Sequence, residues 1–409
     1  MKKKKKTKNT RHMKNKKKTP YLPSELIIQI LLRLPVKFLL RFRCVCKSWF
    51  SLISDSHFAK SHFEVSSLTH THRNRIITIS RTSAPPFNIR KPNPNQIRCI
   101  DFETSTNHDF VSPNHDFILR QPYYCKIKGS CRGFICLYCY TNLYVWNPAT
   151  GFHRQIPLSP FASKLNAYHF CHLYGFGYDQ STDDYLVVLL SYDPTLPNRS
   201  SHLEFFSLRD NAWNQIEDPH FTYFNAALIV KAESFFNGAF HWVACRNDLL
   251  VDVIIVFDLM EKKLLEMPLP DDFDNDPVSY GLWVFGEFLS LWGMDFHNSR
   301  VEIWVMKEYK LHSSWTKTLL IPIDRNIICF SPINSTKSGD IIGSSNDGGL
   351  VKYNDRGQLL EYQEGRGNVR QVAMYIESLL SLPVDLEQVY EDDTNKKNQV
   401  LKYSHSPFS

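Results

Sequence analysis

No stretch of the sequence approaches the about 20 consecutive apolar residues that a membrane-spanning helix needs, and no apolar core follows the basic start. We therefore expect neither a membrane span nor a secretory signal. Catalytic motifs are missing too, because the chain contains no Gly-x-Ser-x-Gly elbow, no His-Glu-x-x-His and no glycine loop for phosphate. We expect no catalytic residue, no cofactor and no bound metal.

The length of the chain suits a small module followed by a large domain, since 409 residues are too many for one ordinary core. Hydrophobic residues make up 43% of the chain, with 28 Phe, 19 Tyr and 8 Trp, while alanine is scarce. Aromatic and β-branched residues favour strands, so most of the chain is predicted to be β-structure.

The net positive charge is confined to one end. Residues 1–20 carry ten Lys, one Arg and no acid, so the net charge of +7 for the whole chain leaves −4 for residues 21–409. Such a run repels itself and has little to bury, which predicts disorder. It is either a nuclear-localisation or nucleic-acid-contacting tail or simply a solvated one. We expect the protein in the nucleus, the cytoplasm or both.

Ten cysteines in a chain without a secretory signal predict free thiols. The densest group comprises Cys125, Cys131, Cys136 and Cys139, but the last two lie in the strand-like run "GFICLYCY" and should point to opposite faces. The segment "HFCH" at 169–172 offers further ligand types, yet nothing in the sequence ties it to that group. Zinc is therefore not expected.

Composition and periodicity divide the chain into four predicted regions. These are a disordered basic tail (1–20), a compact helical module (21–65), a strand-rich domain (75–382) and a flexible C-terminal tail (383–409). The fold class is therefore α+β and multidomain, with a small helical module preceding a large all-β domain.

The helical module opens with "LPSELIIQILLRLP", in which Ser24 is a predicted N-cap and Pro35 a stop. On a helical wheel Glu25, Gln29 and Arg33 form one narrow polar stripe, and apolar residues fill the remaining arc of about 240°. A surface helix needs an apolar face of roughly 100°. This helix therefore has apolar surface for more than one partner.

The next segment, "LPVKFLLRFRCVCKSWF", combines apolar residues with Lys37, Arg41, Arg43 and Lys47 and contains no acid. A module of this size cannot bury so much apolar surface alone, and contiguous exposed patches mark interfaces. The pattern predicts a partner with an apolar groove and acidic flanks. Two alternatives remain open, a helix-turn-helix DNA reader and a helical cap packed wholly on the following domain.

The stretch from Leu22 to Phe63 resembles an F-box of the plant type, with Leu34-Pro-Val-Lys followed by Arg41-Phe-Arg-Cys-Val-Cys-Lys-Ser-Trp. It departs from the family pattern at Gln29, where an acid is common, and at Phe38, where a small polar residue is usual. The resemblance implies docking on the acidic Skp adaptor and, through it, on cullin. Cys44 is interpreted, like its neighbour Cys46, as a small apolar packing residue. The residues that match the adaptor contact and its supporting core are Leu22, Pro23, Leu26, Ile30, Leu31, Leu34, Pro35, Leu39, Leu40, Phe42, Val45, Cys46 and Trp49.

The strand-rich domain repeats a glycine, one residue and an apolar strand, in "GFICLY", "GAFHWV", "GEFLSL" and "GDIIGS". A second strand with a polar turn follows each, as in "YVWNPATGFHRQIP" and "GLVKYNDRGQLLEY". Short strands that repeat about every 50 residues are typical of a β-propeller, because each unit buries its faces only by stacking on neighbours. A large irregular β-sandwich remains the alternative. The aromatic residues that align in these repeats are Trp146, Phe206, Phe257, Trp304 and Tyr353.

"WNPATGFHRQIP", "YGFGYDQSTDDYLVV" and "NGAFHWV" resemble the F-box-associated domain of plant F-box/kelch-repeat proteins over roughly residues 75–380. Kelch repeats carry a paired glycine in each blade, whereas Gly348-Gly349 is the one such pair here. The resemblance implies a non-catalytic substrate-recognition subunit of an SCF (Skp–cullin–F-box) ubiquitin ligase, with a protein substrate that the sequence does not identify. The alternatives are a glycan-binding or enzymatic propeller and a nuclear nucleic-acid binder that uses the Lys-rich tail.

Overall fold

A computed structural model describes the structure of most of the chain between residues 22 and 383. The described residues are 22–68, 74–81, 95–101, 125–139, 142–161, 163, 172–192, 201–216, 223–225, 234–273, 279–295, 297–324, 327, 330–336, 338–345, 349–363 and 371–383. The tail at 1–20 and nearly all of the predicted C-terminal tail lie outside them.

The helical module consists of α1 Ser24–Leu31, α2 Val36–Phe42, α3 Lys47–Ser54 and α4 Ser56–Leu68. Pro23 stands in extended backbone directly before α1, and no side chain caps this helix. Ser24 is thus the first helical residue, and its prediction as the N-cap was wrong because Pro23 already occupies that position. Pro35 separates α1 from α2. Asp55 caps α4, since its Oδ1 accepts a hydrogen bond from the Phe58 backbone N–H at 3.0 Å.

The strands form six antiparallel sheets, the blades of a β-propeller. Blade 1 contains β3 Cys125–Cys131, β4 Phe134–Cys139, β5 Asn142–Trp146 and β6 His153–Ile156. Blade 2 contains β7 His172–Asp179, β8 Asp184–Tyr192, β9 Ser201–Ser207 and β10 Ala212–Ile216. Blade 3 contains β11 Tyr223–Asn225, β12 Ser234–Phe236, β13 Ala239–Arg246, β14 Val251–Asp258 and β15 Lys263–Pro268. Strands β11 and β12 pair with the same edge of β13 and are counted together as the first strand of this blade.

Blade 4 contains β16 Tyr280–Phe285, β17 Phe288–Asp295, β18 Arg300–Met306 and β19 Trp315–Pro322, with a short 3-10 helix, His312–Ser314, before the last strand. Blade 5 contains β20 Phe330–Ser335, β21 Ile341–Ser345, β22 Leu350–Tyr353 and β23 Leu359–Gln363. Blade 6 contains β1 Asn74–Arg81, β2 Asn95–Asp101 and β24 Gln371–Ile376. The first strands of neighbouring blades lie side by side from β3 round to β24, which closes the ring.

The repeat predicted from the sequence is confirmed by these blades. Its five aromatic residues all lie on the third strand of a blade and are buried, at β5, β9, β14, β18 and β22. The polar turns "NPATG" and "NDRG" of the predicted repeats join the third and fourth strands of blades 1 and 5. The β-propeller prediction is therefore correct, and the alternative of a β-sandwich is wrong.

Blade 6 joins the two ends of the propeller. Strand β1 pairs on one edge with β2 and on the other with β24, nearly 300 residues further along the chain. Just beyond β24, the Glu377 carboxylate lies 2.8 Å from Arg75 Nε on β1, and both side chains are largely buried. The ring therefore closes through strand pairing and a shielded ion pair, where the two charges attract strongly.

The blades alternate their turns between two sides of the propeller. In a four-stranded antiparallel blade, the turns after the first and third strands lie on one side and the turn after the second lies on the other. The 132–133 and 180–183 turns, which contact α4, belong to the first set, so we name that side the helix side. The turn between β13 and β14, residues 247–250, lies on the opposite side, which we name the far side.

Cys125 and Cys139 are joined in a disulfide between β3 and β4, where they are directly paired with Cα atoms 4.2 Å apart. The expectation that all the thiols are free is wrong for this pair, because the strand register brings together two residues that the sequence separates. Cys136 and Cys139 do point to opposite faces, since each packs in a different core cluster. Burial raises the pKa of the Cys99 thiol to about 11.

Stability is expected to fall with acid because of His241, which is fully buried between blades 3 and 4 and contacts the Ser234 carbonyl and the Tyr309 hydroxyl. Burial lowers its pKa from 6.5 to about 4. Protonation therefore favours the unfolded chain, and the stabilisation, complete above pH 6.5, is lost towards pH 4 by about 3 kcal/mol.

Urea unfolding of wild type and His241→Gln between pH 7 and pH 4 measures this loss. The glutamine does not titrate, so the variant should lose about 3 kcal/mol less than wild type over the same pH range. Parallel stability curves for the two proteins would contradict the assignment. His62 is also buried with a lowered pKa, but it is common to both proteins and cancels in the comparison.

Candidate protein-interaction surface

One face of the helical module packs on the propeller. Leu31, Leu39 and Ile53 are almost completely buried, and they belong to the same core cluster as Phe134 of blade 1 and Phe206 of blade 2. This face uses only part of the apolar arc predicted from the helical wheel. The other apolar side chains of α1 lie elsewhere on its circumference.

The opposite face of the module is apolar and exposed. Leu22, Leu26 and Ile30 have exposed fractions of 47%, 52% and 51%. Leu26 and Ile30, four residues apart, lie on the same face of α1, and Leu22 extends this stripe just before the helix begins. Phe38, Val45 and Phe50 are also exposed, on and beside the next two helices. Because exposed apolar side chains grouped in this way mark interfaces, this surface is the candidate interaction site.

The structure divides the predicted adaptor-binding residues into three groups. Exposed at the surface are Leu22, Pro23, Leu26, Ile30, Pro35, Val45 and Cys46. Half-buried and packed against the core cluster are Leu34, Leu40, Phe42 and Trp49. Buried beneath them are Leu31 and Leu39. The first group can contact a partner directly, and the last can only support it.

Sequence reasoning left two exposed residues out of this set. Phe38 departs from the family pattern, and Phe50 is one apolar residue among many in the module, so neither belongs to the residues that the resemblance implies. Their exposed fractions, 44% and 57%, place both on the partner side. The interpretation of Cys44 and Cys46 as packing residues was wrong, since both thiols are exposed within this chain.

The basic residues of the segment do not share one role. Arg41 and Lys47 are exposed and can face a partner. Arg43 is partly buried instead, and its Nη2 donates to the Ile53 carbonyl at 3.2 Å, which ties the end of α2 to α3. The positive charge available to an acidic partner is therefore smaller than the sequence predicted.

A cationic and aromatic contact attaches α4 to the helix side of the propeller. The Arg132 guanidinium lies 3.7 Å from the ring centre of Tyr178 and 4.9 Å from that of Phe63 on α4. Lys60 Nζ on α4 donates a hydrogen bond to the Asp183 carboxylate at 3.0 Å, and the Tyr178 hydroxyl donates to the same carboxylate. That hydrogen bond, with Lys60 adding to it, lowers the pKa of Asp183. The module is thus fixed by one face, and the alternative of a cap packed wholly on the propeller is wrong.

Residues 377–383, which we name the strap, follow β24 and run between the module and blade 1. Leu379, Leu380 and Leu382 are buried in the cluster that also contains the inner face of the module. Asn147 Nδ2 donates to the carbonyls of Ser378 and Leu380 at 3.0 and 3.3 Å. The strap therefore connects ring closure to the seating of the helices.

Comparison with known proteins identifies both parts of the chain. Residues 20–61 match the F-box domain, and residues 91–350 match the F-box associated beta propeller domain. The chain belongs to this F-box family. The propeller of this F-box protein extends beyond the matched range, since β1 precedes it and β23 and β24 follow it.

Two similar proteins of Arabidopsis thaliana illustrate the relationship. An F-box/kelch-repeat protein is 31% identical over 322 residues, which cover 74% of this chain and 79% of the relative. The F-box protein CPR1 is 27% identical and covers 76% of this chain and 75% of its own length. Among solved structures, the Dos1 propeller is 11% identical with a TM-score of 0.37, over 66% of each chain.

In the described part of this F-box protein, no three His, Cys, Asp or Glu side chains are grouped so that they could hold a metal ion. Most of the "HFCH" segment lies outside the described residues. Within the described helices, none combines the length and the apolar character that crossing a bilayer requires.

Proposed function

We propose that this protein is the substrate-recognition subunit of an SCF ubiquitin ligase. The observation that carries the proposal is the exposed apolar stripe of Leu22, Leu26 and Ile30 on an F-box whose other face is already seated on the propeller. The stripe would bind a Skp-type adaptor, and exposed Arg41 and Lys47 would face its acidic groups. The adaptor would in turn join the chain to cullin.

In this assembly the chain performs no covalent step. The propeller would hold a protein substrate, and the fixed contact between F-box and propeller would keep that substrate at a constant orientation to the ubiquitin-carrying subunit. Holding reactants in place is itself a large source of rate enhancement. The ion pair between Lys60 and Asp183 and the stacking of Arg132 support this positioning role.

Binding to a purified Skp-type adaptor, measured by calorimetry with the full chain, tests the proposal. Leu26→Asp/Ile30→Asp should weaken binding by about 100-fold or more, because each change places a carboxylate in an apolar interface. Both positions are exposed, so the thermal unfolding midpoint should stay within about 2 °C of wild type.

The matched control is Leu265→Asp/Leu320→Asp, which changes two similarly exposed leucines on the outer strands of blades 3 and 4. It should bind the adaptor like wild type. Deleting residues 1–20 should also leave adaptor affinity unchanged. Wild-type affinity in the Leu26→Asp/Ile30→Asp variant, or no adaptor binding by wild type, would contradict the proposal.

A further inference from the structure

Blade 3 presents an apolar tip on the far side of the propeller. Leu249, Leu250 and Val251, at the turn between β13 and β14, are consecutive and have exposed fractions of 58%, 69% and 45%. None of the three belongs to a hydrophobic core cluster of the described residues. Clusters of exposed apolar side chains lower the solubility of a protein, and they mark interaction sites more often than isolated exposed leucines do.

The backbone of this tip is held in one conformation. The Leu250 N–H donates to the Arg246 carbonyl at 2.8 Å, and Leu250 has a φ of +54°, which a bulky side chain rarely adopts. Arg246 Nε and Nη2 each lie 2.9 Å from an oxygen of Asp248, and Arg246 Nη1 lies 3.1 Å from Glu266. Such a turn is already ordered before a partner arrives, so binding loses less conformational entropy.

The base of the tip is acidic. Asp248 and Glu266 bind the single guanidinium of Arg246. A third carboxylate, Asp252, accepts from Tyr280 on the opposite face of the blade, so these four charged groups have an excess of two negative charges. The hydroxyls of Tyr280 and Tyr223 donate to Asp252 and Glu266 and hold both carboxylates in place. A partner that covers the tip therefore meets an apolar centre with negative flanks.

We propose that this tip is the docking point for the substrate, through a segment that combines aliphatic or aromatic side chains with Lys or Arg. The inference rests on the proposed function, which requires a substrate site on the propeller. It is supported by position, since the turn between β13 and β14 lies on the side opposite to the seated F-box. A substrate held there would not compete with the adaptor for space.

A random peptide library displayed on phage, selected against the full chain, tests the docking point. Enriched peptides should pair aromatic or aliphatic residues with Lys or Arg. A synthetic copy of the most enriched peptide should bind Leu249→Ser/Leu250→Asn about 30-fold more weakly than wild type. Asparagine tolerates a positive φ, so the turn itself is retained. Raising the salt concentration should weaken binding to wild type.

The matched control is Met260→Ser, which changes a side chain of 67% exposed fraction at the turn between β14 and β15, on the helix side of the same blade. It should bind the peptide like wild type. Equal binding by wild type and the tip variant, enrichment of acidic peptides, or no enrichment would overturn the inference. Adaptor affinity, measured on the same proteins, separates the two proposals, because the tip variant should keep it. No adaptor binding by wild type would contradict the ligase assignment, and with it the role of the bound peptide as a substrate mimic, whereas a failure of peptide binding alone would contradict only the docking point.

Discussion

Ending the chain at Ile376, so that the strap is removed, should lower the free energy of unfolding by about 6 kcal/mol or more. The three leucines of the strap have exposed fractions of 5%, 5% and 3%, and burying each contributes about 2 kcal/mol. The truncation also removes Glu377, which faces the largely buried guanidinium of Arg75 on β1. The loss should be concentrated where the strap lies, between the F-box and blade 1.

Chemical denaturation gives the size of the effect, and hydrogen exchange gives its location. Amides of α1 to α4 should exchange much faster in the truncated protein, while those of blades 3 to 5 keep more of their protection. The control is a chain that ends at Pro383, which keeps every described contact of the strap. It should unfold like wild type. Equal stability of the two truncated proteins would show that the strap does not hold the F-box on the propeller.

The hairpins of the propeller could be predicted because their signals are local. A glycine takes positive φ between the first and second strands of blades 1, 3, 4 and 5, and a buried aromatic residue follows on the third strand. Blade 2 has no glycine at this turn. Asp183 takes the left-handed conformation there instead, with φ of +52°. The first hairpin of blade 2 was therefore missed by the glycine pattern, although Phe206 aligned with the other repeats.

Blade 6 and the strap could not be predicted in the same way. Strands β1 and β2 come from the start of the propeller and β24 from its end, so no contiguous stretch carries the pattern of this blade. The strap is too short for its three leucines to establish a helical or a strand period, and only ring closure brings them to the F-box. The same reasoning covers Cys125 and Cys139, which the register of β3 and β4 brings together.

The sequence predicts that α1 has apolar surface left over for a partner, but it does not predict which side of the helix that surface occupies. A helical wheel shows that α1 has too much apolar surface for one core contact, yet it does not say which part faces the propeller. The structure resolves this by burying Leu31 and exposing Leu26 and Ile30 on the same helix. The family resemblance named the correct segment, but it grouped supporting residues such as Leu39 with those that can touch a partner.

Replacing Gly133 by alanine should cost about 4 kcal/mol, whereas the same change at Gly238 should cost about 1–2 kcal/mol. Both glycines lie in the turn between the first and second strands of a blade, with φ of +89° and +73°. Alanine is strained at either position, which accounts for the smaller figure. At Gly133 the added Cβ would also lie 2.2 Å from Ser378 Cβ and 2.8 Å from the Ile376 carbonyl oxygen, whereas at Gly238 nothing lies within 4 Å. Overpacking against the strap adds the difference.

A double-mutant cycle with Ser378→Gly, read by urea unfolding, isolates that contact. Removing the Ser378 Cβ relieves the closest clash, so Gly133→Ala should cost about 1–2 kcal/mol less in the Ser378→Gly background than in wild type. Ser378→Gly itself should destabilise modestly, because its hydroxyl accepts from the Leu380 N–H at 2.9 Å. Gly238→Ala should cost the same in both backgrounds, since its turn does not touch the strap. If Gly133→Ala and Gly238→Ala lower the free energy of unfolding by similar amounts, or if residues 133 and 378 show no coupling, the strap moves to accommodate the added Cβ and the proposed clash does not exist.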